Sequence, residues 1–366
     1  MTVPRGDETI HAGRAVTIRD VATAAGVSTA TVSRALSGNR SVAQENLDAV
    51  RKAATDLGYR GDGIARALRR GATQVVGIVV PDITNPFFPR IVQAIEHSLH
   101  HTSHGLLLGD SGNDPSVEAD RIAALLDRRV DGLIVVPSHA SRSARTIADA
   151  VRRIPVVLLD RRVEGVDCDF VGVDEAEGIA ATTRHLVERG RRRLAYVGAD
   201  PGVSASRRLA SFWRTVEVLL PDAPAPPVLL GDFSMEWGEA AGASLVAAES
   251  PVDAVVCAND LIALGVLRAL RAGGAEVPGD VAVTGFDDVG FAVVSDPALT
   301  TARQPLTALG EACVRLLLER ITGDRGPRRD IELPTELVVR ASTADAVAMS
   351  TPGAAEAEPT PNEGEV

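Results

Sequence analysis

The chain has 366 residues, long enough for two or three compact units with adequate cores. A formal net charge of −11 excludes a protein that coats nucleic acid with its whole surface, and three distant cysteines, Cys168, Cys257 and Cys313, exclude a complete disulfide scaffold or a cysteine metal site. No apolar run approaches the roughly 18 residues that span a bilayer, and residues 1–15 lack the apolar core of a signal peptide, so a cytoplasmic protein without a membrane partner is expected.

The charge is uneven: residues 14–70 carry ten Lys or Arg against five Asp or Glu. After a polar leader over residues 1–15, Ile18, Val21, Ala22 and Ala25 follow one helical face, and Thr17 with Asp20 forms a capping-box pattern. Gly26 permits a tight turn, and Ser28 caps a second helix whose inner face is Val32, Ala35 and Leu36. Two short helices joined in this way predict a helix-turn-helix. A third helix is predicted from Ser41, with Val42, Leu47, Val50, Ala54 and Leu57 inside and Gly58 at its end. A short helical pattern over 62–70, with Ile64, Ala65 and Leu68, is too brief to be stable alone and is expected to fold only with a partner.

From Val75 the pattern changes to short β-branched runs separated by helical stretches. Strands are predicted at Val75–Val80, Leu106–Leu108, Leu133–Val136, Val156–Leu159, Leu194–Val197, Ala254–Cys257 and Val281–Thr284. Continuous apolar runs alternating with helices predict α/β architecture with doubly wound parallel sheets, here in two lobes. The final stretch, rich in Pro, Ala and Glu, is expected to be a disordered acidic tail.

Several of these segments carry a family resemblance. VTIRDVATAAGVSTATVSRAL (16–36) resembles the DNA-binding head of the LacI/GalR family of transcription regulators, and LGYRGDGIARALRRG (57–71) resembles its hinge. GIVVPDITNPFFPRI, RVDGLIVVP, ANDLIALG, VPGDVAVTGFDD and PALTTARQP resemble its effector domain, in the family's order. The resemblance implies a helix-turn-helix head at 16–61, a hinge helix at 62–71, and a two-lobed, periplasmic-binding-protein-like effector and dimerisation domain at 74–342. The lobes would be about 74–172 plus 304–333, and 173–303 plus 334–342, with a tail at 343–366.

It also implies a homodimer on a near-palindromic operator, because two recognition helices would meet two half-sites. The second helix would present Thr29, Ala30 and Arg34 to base edges, with Arg34 able to bind guanine bidentately. Thr17, Ser28 and Ser33 would donate to phosphates, although Thr17 and Ser28 are equally explained as caps. In the hinge, Leu68 would wedge into the minor groove, with Ala65 beside it in the DNA-contacting set. Asn46, Leu47, Gly61 and Asp62 depart from the family pattern and imply a weaker operator affinity than is typical.

For the effector, the resemblance implies a small molecule, read as a sugar. Asp82 and Asn85 would meet hydroxyls, with strand-end turn chemistry as the competing explanation. Phe87 or Phe88 would stack on the ligand, with core packing of at least one the alternative. Asp160, Arg208, Phe233, Asn259 and Asp287 also fall on family pocket positions, and Asp160 and Asp287 follow strands, where ligands of open α/β sheets bind. No nucleophile–base set, phosphate loop, metal cluster or cofactor motif occurs, so no enzyme, no metal and no cofactor are expected. A periplasmic-type sugar receptor is the alternative for residues 75–342, but it would lack the basic head.

Overall fold

The structure is a computed structural model that describes residues 16–36, 42–59, 72–200 and 206–344. The expected leader, the hinge with Ala65, Leu68, Gly61 and Asp62, and the tail beyond residue 344 lie outside the described residues. The chain divides into two compact units, residues 1–73 and 74–366.

The first unit contains α1 (Ile18–Ala25), α2 (Thr29–Leu36) and α3 (Gln44–Asp56). Local chemistry fixes the ends of α1. One carboxylate oxygen of Asp20 accepts from both the amide and the hydroxyl of Thr17, each at 2.8 Å, and Gly26 closes the helix at φ +67°. Ser28 Oγ accepts from the Thr31 amide at 3.1 Å, which starts α2. Val21, Val32 and Val50 are buried with Ala22, Ala35 and Ala53, and Val42, Leu47 and Ala54 pack against them.

Leu36 and Leu57, expected inside, are 40% and 38% exposed. Both stand at helix C-termini, Leu36 as the last residue of α2 and Leu57 as the C-cap of α3, past the stretch over which the short helices bury one another. The third helix starts at Gln44 after an Ala43 cap, and Ser41 lies outside the described residues.

The second unit holds two six-stranded sheets. The first, in the order β11-β5-β4-β3-β1-β2, is built from β1 (Val75–Val80), β2 (Gly105–Asp110), β3 (Gly132–Val135), β4 (Val156–Leu159), β5 (Asp169–Val173) and β11 (Asp330–Leu333), with every pairing parallel. Helices α4 (Phe87–Leu99), α5 (Pro115–Asp127), α6 (Ala144–Val151) and α12 (Leu306–Ile321) complete this lobe. Side chains alternate between its two faces. Ile78, Ile134 and Val157 meet Ile91, Ile95 and Leu316, whereas Val79, Leu133 and Leu158 meet Ile122, Leu125 and Ile147. Burial on both faces is why these strands read as unbroken apolar runs.

The second sheet, in the order β12-β10-β9-β8-β6-β7, is built from β6 (Leu194–Ala199), β7 (Val228–Gly231), β8 (Ala254–Cys257), β9 (Ala282–Asp287), β10 (Thr300–Arg303) and β12 (Glu336–Val338). Only β12 runs antiparallel to its neighbour. Its helices are α7 (Glu175–Glu188), α8 (Ser206–Leu219), α9 (Met235–Val246), α10 (Asp260–Ala272) and α11 (Gly290–Val294). The chain passes between lobes after β5, after β10 and after β11, so both lobes are assembled from separated segments. Thr343, assigned from sequence to the tail, is instead buried: its hydroxyl hydrogen-bonds with His185 Nε2 at 2.8 Å and with the Thr300 hydroxyl at 2.7 Å. A buried threonine so partnered belongs to the second lobe.

Candidate functional site: an interlobe cleft and a DNA-reading head

In the first unit, Thr29, Ala30 and Arg34 are exposed on α2 and Ser33 is half-buried beside them. Spacing of three and four residues puts positions 30, 33 and 34 on one side of the helix. Arg34 Nε donates to the Ala30 carbonyl at 3.3 Å, which lays the guanidinium along the helix toward its N-terminal end. The Thr17 and Ser28 hydroxyls are engaged in the helix starts described above. Leu47, a departure from the family pattern, packs against the head's core, while Asn46 is exposed.

In the second unit, a cavity between the lobes is lined by Asn85, Phe87, Phe88, Asp160, Arg161, Arg208, Phe233, Asn259 and Asp287. The cavity is about 20 Å³, room for about one water molecule, so a ligand of sugar size requires the lobes to part. The lining follows the C-terminal ends of parallel strands: Asn85 after β1, Asp160 after β4, Phe233 after β7, Asn259 after β8, and Asp287 at the end of β9. This is where open α/β sheets hold ligands, because backbone turns there leave a crevice.

Eight of the nine sequence-expected effector residues meet here. Asp82 does not: its carboxylate accepts from the amide and hydroxyl of Thr84 at 2.8 and 2.6 Å, so strand-end turn chemistry accounts for it. Asn85 and Asn259 also serve as local caps. Asn85 Oδ1 accepts from the Phe87 amide and Asn259 Oδ1 from the Ile262 amide, each at 3.0 Å. Phe87 and Phe88, both buried, meet edge to face with ring centroids 5.2 Å apart.

The charged groups are tightly arranged. Arg208 Nε donates to Glu175 Oε1 and its Nη1 to the Ala258 carbonyl, both at 2.7 Å, and the guanidinium lies 4.1 Å from the Phe286 ring centroid. Arg161 pairs with Asp160 at 3.7 Å and sits 5.8 and 5.5 Å from the rings of Phe88 and Phe233. Asp287 accepts from the Gln304 amide at 2.7 Å. Desolvation chiefly, reinforced by Asp160 and Glu175 against the opposing pull of Arg208, raises the Asp287 pKa to about 7. Burial likewise raises Glu175, with Arg208 opposing. Asp160 and Asp287 adopt φ of +65° and +110°, a left-handed backbone that costs about 1–3 kcal/mol where sparsely populated and that tends to mark functional sites.

Arg161, Glu175 and Gln304 were not singled out from sequence. Arg161 had a usable signal, since it directly follows Asp160 at the same strand end. Glu175 and Gln304 follow β5 and β10, strands that the apolar pattern did not disclose. Among the described residues no group of His, Cys, Asp and Glu could hold a metal, and no helix is long and apolar enough to cross a membrane.

Comparison with known proteins gives the arrangement its context. The profile of bacterial regulatory proteins of the lacI family matches residues 17–62, and that of a periplasmic binding protein-like domain matches residues 183–343. The HTH-type transcriptional repressor PurR of Mannheimia succiniciproducens is 33% identical over 327 residues, covering 89% of this chain and 98% of that protein. A crystal structure of the Lac repressor dimer bound to operator and the anti-inducer ONPF aligns with a TM-score of 0.83 at 26% identity, covering 91% of this chain and all of that one. The complex of the transcriptional regulator CelR with cellobiose aligns with a TM-score of 0.67 at 31% identity, covering 89% and 99%. The head excludes a periplasmic-type receptor, since the match to regulators runs through the DNA-binding segment as well as the cleft. Head and two-lobed cleft, in this order and at this similarity, make the chain a member of the lacI family of bacterial regulatory proteins, DNA-binding transcription regulators with a ligand-binding domain.

Proposed function

We propose that this protein is a cytoplasmic, non-enzymatic repressor that binds a near-palindromic operator as a homodimer and is controlled by a small polyhydroxylated effector, a sugar of monosaccharide size, held between the lobes. The observation that carries the reading is the convergence of Asp160, Asp287, Arg161 and Arg208 with two asparagines and three phenylalanines around one small interlobe cavity. Carboxylates accept from hydroxyls, guanidinium forks donate to ring and hydroxyl oxygens, and aromatic faces cover the apolar face of a sugar ring. The neighbour solved with cellobiose supports a sugar, and the Lac repressor dimer supports two-fold assembly. So do Phe291, Val293 and Val294 on α11, 55%, 57% and 76% exposed, an apolar surface suited to a second copy.

Calorimetry with a panel of pentoses, hexoses and nucleobases tests the cleft. Asp287→Ala and Arg208→Ala are each expected to weaken the sugar that binds by about 1–3 kcal/mol, the cost of a ligand group left without its partner. Undiminished binding by both variants places the effector elsewhere.

A further inference from the structure

Four charged side chains line the cleft, the carboxyls of Asp160 and Asp287 and the guanidinium groups of Arg161 and Arg208, and a fifth, the carboxyl of Glu175, pairs directly with Arg208. Each cation has a carboxylate partner, Arg208 closely and Arg161 more loosely. Arg208 is held by Glu175 at 2.7 Å, with Nη1 committed to the Ala258 carbonyl, and Arg161 by Asp160 at 3.7 Å. The third carboxyl, Asp287, is held by the neutral amide of Gln304. With all three carboxyls ionised the group carries one negative charge more than positive. Glu175 decides that balance, although it does not line the cavity: it stands behind Arg208 as the first residue of α7, its side chain 8% exposed.

From this we infer that the cleft takes a sugar or polyol bearing no anionic group, and that Glu175 is the positioning residue that sets this selectivity by neutralising Arg208. The inference rests on the sugar reading above and narrows it. An anion entering an enclosed cleft loses its hydration and must recover the loss from unmatched cations. Here the two guanidinium groups offer hydrogen-bond donors whose charge is already compensated, while Asp287 repels. An uncharged polyol forfeits far less hydration and still finds acceptors, donors and apolar faces. Desolvation chiefly, with Asp160 and Glu175 adding to it against Arg208, raises the Asp287 pKa to about 7, and the two neighbouring carboxyls are the part of that shift that a further negative charge would share. Replacing Glu175 by glutamine keeps an acceptor for Arg208 Nε and removes the compensating charge, which frees Arg208 to pair with an anionic ligand.

The test is calorimetry on the full chain with D-glucose, D-galactose, D-ribose and D-xylose. The anionic counterparts glucuronate, galacturonate, glucose 6-phosphate and ribose 5-phosphate are run beside them. Wild-type protein is expected to bind an uncharged member at least about tenfold more tightly than its anionic counterpart. Glu175→Gln is expected to shrink that ratio to within about threefold, chiefly by gaining affinity for the anion, and Glu175→Asp to preserve it. An anionic counterpart bound as tightly as its parent sugar by wild-type protein overturns the inference and leaves the sugar reading standing. An unchanged ratio in Glu175→Gln removes the role given to Glu175. No binding or thermal shift from any member overturns the sugar reading and this inference together. If Glu175→Gln fails to fold, the wild-type ratio and Glu175→Asp still decide.

Discussion

At the scale of the residue, two side chains are expected to carry separable tasks. Arg34 is exposed on α2, so truncation removes little packing. Arg34→Ala is expected to cost about 1–3 kcal/mol in operator binding and to relax preference at one base pair per half-site. Competition titrations against operator and random DNA check it: equal loss on both makes Arg34 a phosphate contact. Asp287 supplies a pH response. Its native pKa of about 7 lies above the ordinary carboxylate value of 3.8, so the folded state binds more protons between roughly pH 4 and 7. Stability from this group is therefore fullest at low pH and falls as pH rises through that window, and melting curves of Asp287→Asn should lose part of that slope. A ligand hydroxyl donating to Asp287 favours the ionised form, so effector affinity should rise from pH 6 to 8 with release of a proton. Calorimetry in buffers of different ionisation enthalpy reads that proton directly, and a pH-independent affinity contradicts the contact. Most of these side chains were legible in the sequence because motifs mark strand ends. Asp82 misled because an acid beside a strand end serves a turn as readily as a ligand, and Glu175 was hidden because neutralising a partner leaves no trace in spacing.

At the scale of the element, the strands foreseen were those with unbroken apolar runs, most of them buried on both faces, such as VVGIVV in β1 and AVVC in β8, although the LLL run of β2 is largely exposed. Those missed were β5, β7, β10, β11 and β12. The motif DIEL of β11 alternates polar with apolar residues and ELV of β12 is only three residues long, both at sheet edges, and TTAR in β10 buries threonines whose hydroxyls find partners inside. Apolar periodicity cannot register a strand whose buried groups are polar. The α9–α10 crossing shows another constraint that patterning did not reveal. A Cβ on Gly265 would come within 2.1 Å of the Met235 carbonyl oxygen, and one on Gly238 within 2.1 Å of the Ile262 carbonyl oxygen. Backbone meets backbone there, so neither position can yield by turning a side chain. Gly265→Ala is expected to destabilise the second lobe by about 1–3 kcal/mol or more, seen as a melting temperature lower by several degrees. Because α10 begins at Asn259 and Asp260, the same change should weaken effector binding. An unaltered melting temperature contradicts the close crossing.

At the scale of the whole effector domain, the lobes are fastened outside the cavity as well as across it. Glu332 on β11 of the first lobe accepts from Arg207 on α8 of the second at 2.6 Å and from Arg162 at 2.9 Å, and Arg90 on α4 donates to the Asp288 carbonyl at 2.6 Å. Arg207 adjoins Arg208, so one turn of α8 reaches both the clasp and the cavity. The Arg207 side chain is 40% exposed, which limits such a pair to about 0–1 kcal/mol. On the proposed function, closure is expected to be biased by the clasp and decided by the ligand, since an effector shifts an equilibrium only through its different affinities for the two orientations. Glu332→Gln is therefore expected to lower effector affinity by up to about fivefold, with a double-mutant cycle through Arg207→Gln assigning the loss to the pair. The maximal change in operator affinity should nevertheless return at saturating effector, because the ligand's preference for one orientation is untouched. Operator titrations across effector concentrations separate the two quantities: a displaced midpoint with an unchanged plateau is expected, and a reduced plateau would mean that Glu332 carries the signal itself.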